Sequence, residues 1–432
     1  MLKICPTRFR RGKTVMALAV VLMVALASPV AVYAGKKKKT AAAAPEQKSG
    51  PMVDLSKIDI SKLVWPQPPS IPRVRYTAYY AGMKIDYPTA DAKTTQAKQS
   101  WMDRLAGSKP QDNTVNVKTF PFQLLGPYGM AVDSKGQLYV ADQRVGAIFI
   151  FNTETRDVVL IRNDVDAHFG LINSLAIDDD DRIFVSDGKL RRVLVFNSKH
   201  VVVDQIDKGL VDPVGLAIDK ENRFLYIVDT QQDQVLVYDA DTLKPLRKIG
   251  TGGKKHILTD AGNFAAPQGV AVDKDGNVYV TDTLNDRVEI FDADGNFLST
   301  FGKNGDGPGY FARPKGIAVD GDGHIWVADA IQNRLQVFNR EGQLLTYIGG
   351  PGHYPGQFES LVGVAIDKNN RVFTSEQYPG RVQQYRYITD AEAEQLKKEK
   401  EAQRGEKAAA NQAAATTQQA AQAGPVPEVK KQ

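Results

Sequence analysis

Residues 267–302 read PQGVAVDKDGNVYVTDTLNDRVEIFDADGNFLSTFG, and residues 314–349 read PKGIAVDGDGHIWVADAIQNRLQVFNREGQLLTYIG. Each stretch holds four short apolar runs that are rich in β-branched and aromatic residues. In the first stretch the runs are separated by Asp273–Gly276, Leu284–Asp286 and Asp292–Gly295. Runs of this length, bounded by Asp, Asn and Gly, indicate short antiparallel strands joined by tight turns. Each stretch therefore predicts a four-stranded sheet.

Six copies of this pattern lie between Pro127 and Arg386. The aspartates that close their first strands follow one another at intervals of 45, 41, 54, 47 and 47 residues: Asp133, Asp178, Asp219, Asp273, Asp320 and Asp367. Repeats of about 40–50 residues with four strands each are typical of a β-propeller, in which every blade covers the apolar faces of its neighbours. We predict an all-β, six-bladed β-propeller over residues 118–388.

The first strand of each unit carries small residues at alternate positions, as Gly269 and Ala271 do in the fourth unit. We expect this small face to let the next blade approach closely near the crowded axis. The second unit departs from the pattern, because Ser174 stands where glycine is usual. That difference puts the entry turn of the second blade in question, but not the ring.

Ring closure needs a strand from outside the repeats, because the sixth unit has only three clear strands, ending near Tyr385. Arg73–Tyr80 alternates polar and apolar residues and is our candidate for the missing strand. Lys118–Leu124 is the alternative, and it is otherwise the lead-in to the first blade. We predict an N-terminal arm over residues 65–117 that contains the closing strand and a short helix near Gln96–Leu105.

The N-terminus has the pattern of a signal peptide. Five basic residues up to Lys13 precede an apolar run from Val15 to Ala34, which ends in small residues. We predict a signal peptide over residues 1–34, with a periplasmic or extracellular mature protein; the alternative is an uncleaved membrane anchor. Residues 35–64, which begin with Lys36–Lys39, are predicted to be a disordered linker.

The charge balance and the cysteine content argue against some classes of function. The formal net charge is +5, but the leader supplies five basic residues, which leaves 50 basic and 50 acidic residues. Residues 118–386 carry 29 basic and 36 acidic residues, which disfavours nucleic acid as a partner. The single cysteine, Cys5, lies in the leader, so we expect no disulfide, thiolate zinc site or attached haem in the mature chain.

The pattern becomes helical after Tyr387. Thr389–Glu392 is a capping box in front of a charged Ala/Glu/Lys segment. From about Ala408 the chain is rich in Ala and Gln, and we predict disorder there. Residues 389–432 are therefore predicted to form a charged helix and a disordered tail.

The repeats resemble NHL repeats from Pro127 to Arg386. The arrangement of leader, arm and six units is similar to that of exported bacterial six-bladed NHL proteins, including Trp65-Pro66 and Pro72–Tyr76 in the arm. Some proteins of that kind occur with multihaem cytochromes in extracellular electron transfer. The resemblance implies a propeller that binds a protein partner or an extracellular ligand, and a multihaem cytochrome is one such partner.

The recurring acidic residues have a structural explanation and a chemical one. Asp-rich turns such as Asp273–Asn277 suggest calcium, but they lack the final Glu of a calcium loop, and Asp, Asn and Gly favour tight turns. Acidic residues also end each second strand: Asp142, Asp187, Asp229, Asp282, Asp329 and Glu376. Because Arg287 and Arg334 follow two of them by five residues, we predict a repeated carboxylate–guanidinium or turn-cap interaction rather than acid catalysis.

Three histidines lie in linkers that enter alternate blades: His168, His256 and His353. Three imidazoles and a water can form a catalytic zinc site. The arrangement resembles the peptide-amidating lyases, which are six-bladed NHL propellers with histidine-bound metal. The distances to the following strands differ, however: six, thirteen and ten residues. We therefore expect exposed loop histidines and no cofactor, and keep zinc or calcium as the alternative.

The linkers between blades are the most variable part of the repeat, and loops commonly carry binding residues. They contain residue types suited to interface anchoring: Tyr310, Arg313, His353 and Tyr354. We expect these to form a partner-binding face around the channel mouth. The sequence thus favours an exported binding or scaffold protein; the alternative is a metal-dependent lyase or hydrolase.

Overall fold

The computed structural model describes residues 58–82, 123–252 and 260–422. The predicted signal peptide, most of the predicted linker and the predicted helix near residues 96–105 lie outside these residues. So does His256. No helix in the described ranges combines the length and the apolarity that crossing a bilayer requires.

Within the described residues, 25 strands form six antiparallel sheets. The arm supplies β1 (Val64–Trp65) and β2 (Val74–Tyr80), and a 3-10 turn at Ile60–Lys62 precedes them. The first blade contains β3 (Pro127–Val132), β4 (Leu138–Asp142), β5 (Ala147–Phe151) and β6 (Val158–Ile161). The second contains β7 (Ile172–Ile177), β8 (Ile183–Asp187), β9 (Arg192–Phe196) and β10 (Val202–Ile206). The third contains β11 (Pro213–Asp219), β12 (Phe224–Asp229), β13 (Gln234–Asp239) and β14 (Pro245–Ile249).

The remaining blades follow the same order from the axis outward. The fourth contains β15 (Val270–Val272), β16 (Val278–Asp282), β17 (Arg287–Phe291) and β18 (Phe297–Phe301), with a 3-10 turn at Thr283–Asn285. The fifth contains β19 (Pro314–Val319), β20 (Ile325–Asp329), β21 (Arg334–Phe338) and β22 (Leu344–Gly349). The sixth contains β23 (Leu361–Ile366), β24 (Arg371–Glu376) and β25 (Arg381–Tyr387). The protein is a six-bladed β-propeller, as the repeat predicts.

The N-terminal arm closes the ring. Strand β2 pairs antiparallel with β25, with Tyr76 opposite Tyr385, and β1 adds a fifth strand outside it. This confirms the prediction that Arg73–Tyr80 completes the sixth blade. The alternative segment reaches the described residues only at Gln123 and Leu124, and Gln123 forms a single bridge with Gly82.

The core consists of six apolar clusters, one between each pair of neighbouring blades. Between the first two blades, for example, Ala131 faces Leu175 and Ile177. Between the sixth blade and the first, Tyr80 of the arm packs with Phe151 and Phe373. Each blade therefore buries both of its faces against its neighbours, and the first and sixth blades do so because the ring is closed.

The small residues of the inner strands are required by close contact across blades. A Cβ on Gly269 would lie 2.2 Å from the carbonyl oxygen of Lys315, and one on Gly363 would lie 2.4 Å from that of Tyr128. No side chain fits at such a distance, so glycine is needed there. Ser174 is accommodated: its N–H donates to the Ser186 hydroxyl at 2.9 Å, in a strand whose register shifts between Ile172 and Leu175 as it does at the same place in the first, third and fifth blades.

A helix, α1 (Asp390–Gln422), follows the sixth blade. The predicted capping box is present: the N–H of Thr389 donates to Glu392 Oε2 at 3.0 Å, and the N–H of Glu392 donates back to Thr389 Oγ1 at 3.3 Å. Disorder from residue 408 was the wrong prediction up to Gln422, because alanine and glutamine are good helix formers and extend the helix. Residues 423–432 lie outside the described ranges.

Candidate functional site

The linkers and the turns between second and third strands lie at the same end of the propeller. The start of each inner strand pairs with the end of the second strand, as Pro127 does with Asp142 and Pro314 with Asp329. We call this end the linker face. It comprises the linkers before the inner strands and the turns after Asp142, Asp187, Asp229, Asp282, Asp329 and Glu376. The opposite end, the turn face, carries the turns after Asp133, Asp178, Asp219, Asp273, Asp320 and Asp367.

Buried carboxylates hold the linker face together. Asp329 is fully buried and accepts hydrogen bonds from the linker N–H groups of Ala312 (2.7 Å) and Arg313 (3.3 Å), and from two N–H groups of its own turn. Asp142 joins the linker N–H groups of Leu125 and Gly126 to its turn in the same way. These acids are structural caps that tie each linker to its blade.

The predicted carboxylate–guanidinium pairs form in some blades only. Arg287 Nε lies 2.9 Å from Asp282 Oδ2, and Arg381 Nε lies 2.7 Å from Glu376 Oε1. Burial raises the pKa of Asp282 even though hydrogen bonds to its carboxylate oppose the rise. Arg334 does not pair with Asp329 and donates to the carbonyl oxygen of Asp306; Asp329, which accepts four backbone N–H groups, shows the turn-cap form of the predicted interaction.

The aspartates of the turn face behave as turn residues. Asp273 Oδ1 accepts the N–H groups of Asp275 and Asn277, each at 2.9 Å, and Asp320 Oδ1 does the same for Asp322 and His324. This confirms the turn interpretation. Within the described ranges, no three His, Cys, Asp or Glu side chains are grouped so that they would hold a metal ion.

The structure does not bring the described linker histidines together around a common point. His168 Nδ1 lies 2.6 Å from Asp164 Oδ1 in its own linker, and His353 Nδ1 lies 3.0 Å from Glu359 Oε2 in another. Both side chains are exposed, and His256 lies outside the described residues. Each of these two linker histidines thus has a carboxylate partner within its own linker.

Polar side chains on the third strands anchor the long linkers of blades four to six. Gln336 Oε1 accepts the N–H of Gly309 at 2.8 Å, and its Nε2 donates to the carbonyl oxygen of Tyr310 at 2.7 Å. The same contact forms in the other two blades: in the fourth, the N–H of Gly262 donates to Glu289 Oε2, and in the sixth, the N–H of Gly356 donates to Gln383 Oε1. All three anchoring side chains are fully buried. The corresponding positions of blades one to three are apolar: Phe149, Leu194 and Leu236.

Three large apolar side chains project from the same half of the linker face. Leu284, Ile331 and Tyr378 are 56%, 56% and 52% exposed. Each lies two residues after the acid that ends the second strand of blades four, five and six. At this position blades one to three carry exposed polar residues: Arg144, Lys189 and Gln231. Leu125 and Leu171 are further exposed side chains on the linkers of the first two blades. We call Leu284, Ile331 and Tyr378 the apolar arc.

The predicted partner-binding residues lie on the linkers next to the apolar arc. Tyr310 and Arg313 belong to the linker of the fifth blade, and His353 and Tyr354 to that of the sixth. Tyr310, Arg313 and Tyr354 are all exposed, and Lys303 Nζ lies 4.9 Å from the centre of the Tyr310 ring. The ring of His353 packs edge-on against Tyr378, with 5.9 Å between centroids, so this linker touches the arc.

The central channel is lined by all six inner strands and encloses a cavity of about 280 Å³. Most residues around it are aliphatic or small, but the surface that they expose to the channel is slightly more polar than apolar; the described side chains around it include no carboxylate and no imidazole. Tyr128, Gln268 and Lys315 stand at its linker-face end, as the second residues of their repeats. These three residues and the apolar arc were not predicted from the sequence. They could have been identified by comparing the residues at equivalent positions of the six repeats.

Comparisons with known proteins show that the repeats are similar to β-propeller families. Residues 269–421 match a family described as a 6-bladed beta-propeller, and residues 168–302 match the SMP-30/Gluconolactonase/LRE-like region. NHL repeat-containing protein 2 of Bos taurus is 24% identical over 217 residues, or 48% of this chain. A probable peptidyl-alpha-hydroxyglycine alpha-amidating lyase of Caenorhabditis elegans is 32% identical over 111 residues, or 25% of this chain.

These matches span only 26% and 31% of the two relatives. A structural genomics protein of unknown function from Bacteroides thetaiotaomicron superimposes with a TM-score of 0.50 at 15% identity, over 61% of this chain and 70% of its own. That likeness concerns the fold alone. The chain is a six-bladed β-propeller that is similar to NHL repeat-containing proteins and, over residues 168–302, to the SMP-30/gluconolactonase-like region.

Proposed function

We propose that this protein is an exported binding or scaffold protein that holds a protein partner on the linker face of blades four to six. The apolar arc carries the proposal. Its three side chains occupy one repeat position in three successive blades, and each is more than half exposed. Scattered apolar residues on a surface are ordinary, but a row of them next to aromatic loop residues is typical of an interaction site.

The surroundings of the arc support rigid recognition. Buried Glu289, Gln336 and Gln383 fix the linkers, so Tyr310 and Tyr354 are presented on ordered loops. A binding surface that is already ordered loses less conformational entropy when a partner docks. Aromatic and arginine side chains are also the commonest interface anchors, which gives Arg313 and Tyr378 a role at the same surface.

The expected partner is a protein with an apolar patch, in the periplasm or outside the cell. A multihaem cytochrome is a candidate because of the resemblance to exported bacterial NHL proteins. In such an assembly this chain would act as the scaffold, since its single cysteine, Cys5, provides no haem attachment motif. The balance of 50 basic and 50 acidic residues outside the leader argues against nucleic acid.

Site-specific photo-cross-linking in the native host tests the proposal. A photo-reactive phenylalanine analogue replaces Tyr378 on the linker face or, as the control, exposed Asn369 on the turn face of the same blade. We expect a discrete adduct with one protein from position 378 and none from position 369. The same adducts from both positions, or no adduct from position 378, would contradict the proposal.

The metal-dependent lyase or hydrolase remains the alternative, prompted by the amidating-lyase relative and the SMP-30/gluconolactonase-like region. The donor set does not favour it. Among the described residues, no three potential ligands are grouped so that they would hold a metal ion, and the side chains around the channel include no carboxylate or imidazole. His168 and His353 lie in different linkers, so these described residues do not by themselves fit a metal centre.

A further inference from the structure

Three polar side chains from three blades meet at the linker-face end of the channel. The Tyr128 hydroxyl of the first blade donates to Gln268 Oε1 of the fourth blade at 3.1 Å, across the ring. Lys315 Nζ of the fifth blade lies 5.7 Å from the centre of the Tyr128 ring. The mouth of the channel therefore holds a hydroxyl, an amide and an ammonium group within one small space.

The Lys315 ammonium group has no acidic partner among the described residues: no carboxylate of those ranges forms an ion pair with it. The side chain is half-buried, and burial, together with the nearby Arg313 charge, lowers the pKa of Lys315. A buried charge without a counter-ion is costly. Lys220, which borders the other end of the same channel, is exposed and lies 3.2 Å from Asp179. The two ends thus differ in whether their lysine is neutralised.

The channel below the mouth offers both polar and apolar surface to a short tail. The residues around it include aliphatic residues and alanines whose side chains also pack between the blades: Met130, Leu175, Leu216, Val270, Ile317 and Val364, with Ala131, Ala176, Ala217, Ala271, Ala318 and Ala365. Pockets for drug-sized ligands have volumes of roughly 300–1,000 Å³. At about 280 Å³, this cavity suits a smaller molecule.

We propose that the channel mouth binds a small monocarboxylate with a short apolar tail. The carboxylate sits against Lys315; the Tyr128 hydroxyl turns its proton from Gln268 Oε1 to the carboxylate, the Gln268 amide N–H also donates to it, and the tail enters the channel. Charge-assisted hydrogen bonds of this kind are about twice as strong as neutral ones. Burial, with a smaller contribution from Asp212, raises the pKa of Tyr128 to about 12, so the phenol is protonated and able to donate at neutral pH.

Calorimetric titration of the full-length protein with three matched probes tests this site. Hexanoate carries the carboxylate, hexanamide is its neutral counterpart, and hexylammonium reverses the charge. We expect one saturable site for hexanoate, affinity at least about tenfold weaker for hexanamide, and no binding of hexylammonium. Equal affinity for hexanoate and hexanamide would overturn the proposal.

Matched variants locate the site. Lys315→Met is expected to weaken hexanoate binding at least about tenfold, Lys315→Arg to restore much of it, and Lys220→Met to change nothing. Tyr128→Phe keeps the ring and its packing, and it provides a second variant should Lys315→Met fold poorly; we expect it to weaken hexanoate several-fold. Loss of binding in Lys220→Met, with retention in Lys315→Met, would contradict the assignment.

Two sources supply such a carboxylate: a free small molecule and the C-terminus of a peptide. A hexapeptide ending in leucine, with a free or an amidated terminus, separates them. Tighter binding of the free-terminus peptide than of hexanoate assigns the site to chain termini, and the reverse assigns it to small molecules. None of these titrations contains a partner protein, so their failure would leave the docking proposal standing.

Discussion

The N–H of Gly356 donates to Oε1 of Gln383 at 2.9 Å, and forty-seven residues earlier the N–H of Gly309 donates to Oε1 of Gln336 at 2.8 Å. In each case a side chain from a third strand reaches through the blade edge and fixes the linker that enters the blade. The long linkers of the fifth and sixth blades are thus held from within the core. Their exposed tips are presented on an ordered base.

Gln336→Leu should loosen the linker of the fifth blade. The substitution leaves the N–H of Gly309 and the carbonyl of Tyr310 with fewer partners, which costs about 2 kcal/mol of unfolding free energy. Denaturant unfolding and hydrogen exchange of residues 303–312 measure the effect. Gln343→Leu, at an exposed turn, is the control and should stay within about 0.5 kcal/mol. Unchanged stability together with unchanged exchange in Gln336→Leu would refute the anchoring role.

Ring closure predicts a stability defect when the arm is altered. Deletion of residues 58–82 exposes the edge of β25 and uncovers the apolar cluster beside it, so we expect a strong drop in melting temperature. Tyr76→Ala, at a buried side chain that packs on Tyr385, should cost about 3 kcal/mol. Removal of residues 406–432 is the control and should have little effect. An arm deletion that melts like the full chain would show that the ring does not depend on β2.

His324 predicts a pH dependence of stability. Its Nδ1 lies 3.0 Å from buried Asp320 Oδ2, and this hydrogen bond raises the pKa of His324 against the opposing effect of burial, with the charges of Asp322 and Asp390 adding. The folded-state pKa therefore exceeds the unfolded value of about 6.5. The stabilisation is complete below that pH and is lost as the pH rises through the folded-state pKa.

Accordingly, the difference in unfolding free energy between the native chain and His324→Gln should be larger at about pH 5.5 than at about pH 8.5. Urea unfolding at both pH values measures it. A difference that stays constant, or that grows with pH, would show that the imidazolium form is not the one the fold favours.

The metal alternative predicts a different outcome from the binding proposal for one variant. We expect the triple change of His168, His256 and His353 to Ala to leave the melting temperature nearly unchanged, because the described members are exposed. Elemental analysis of native and variant protein purified without chelators accompanies the melting curves. About one equivalent of zinc in the native chain that disappears in the variant would instead support the lyase alternative.

The fold could be predicted from sequence because it repeats. Strand alternation and turn residues recur in every unit, and the shortage of one strand in the sixth unit pointed to Arg73–Tyr80. Contacts between segments that are distant in the sequence were harder to predict. The partner of Arg334 depends on which donors already occupy Asp329, and the anchoring role of Gln336 depends on where a linker 26 residues away passes. The extent of α1 does not follow from the low-complexity composition after residue 408, because alanine there has a high helix propensity.

The candidate surface could be predicted only in part, because it too depends on where segments that are distant in the sequence meet. Tyr310, Arg313, His353 and Tyr354 were selected for residue type in variable linkers, and the structure places them on the linker face; their role in binding stays a prediction. The exposure of Leu284 and Ile331 does not follow from the local sequence pattern, since large apolar residues are commonly buried. It became visible once the turns were placed in space.

The affinity of the protein captured at position 378 for two matched triple variants tests the docking proposal most directly. Leu284→Ser, Ile331→Ser and Tyr378→Ser together remove the apolar arc, whereas Arg144→Ser, Lys189→Ser and Gln231→Ser change the same turn position in the other half of the ring. We predict that the first triple variant, with its melting temperature unchanged, loses at least about 100-fold in affinity, or about 2.7 kcal/mol, and that the second loses almost none. Equal losses in both variants, or a loss confined to the second, would contradict the account.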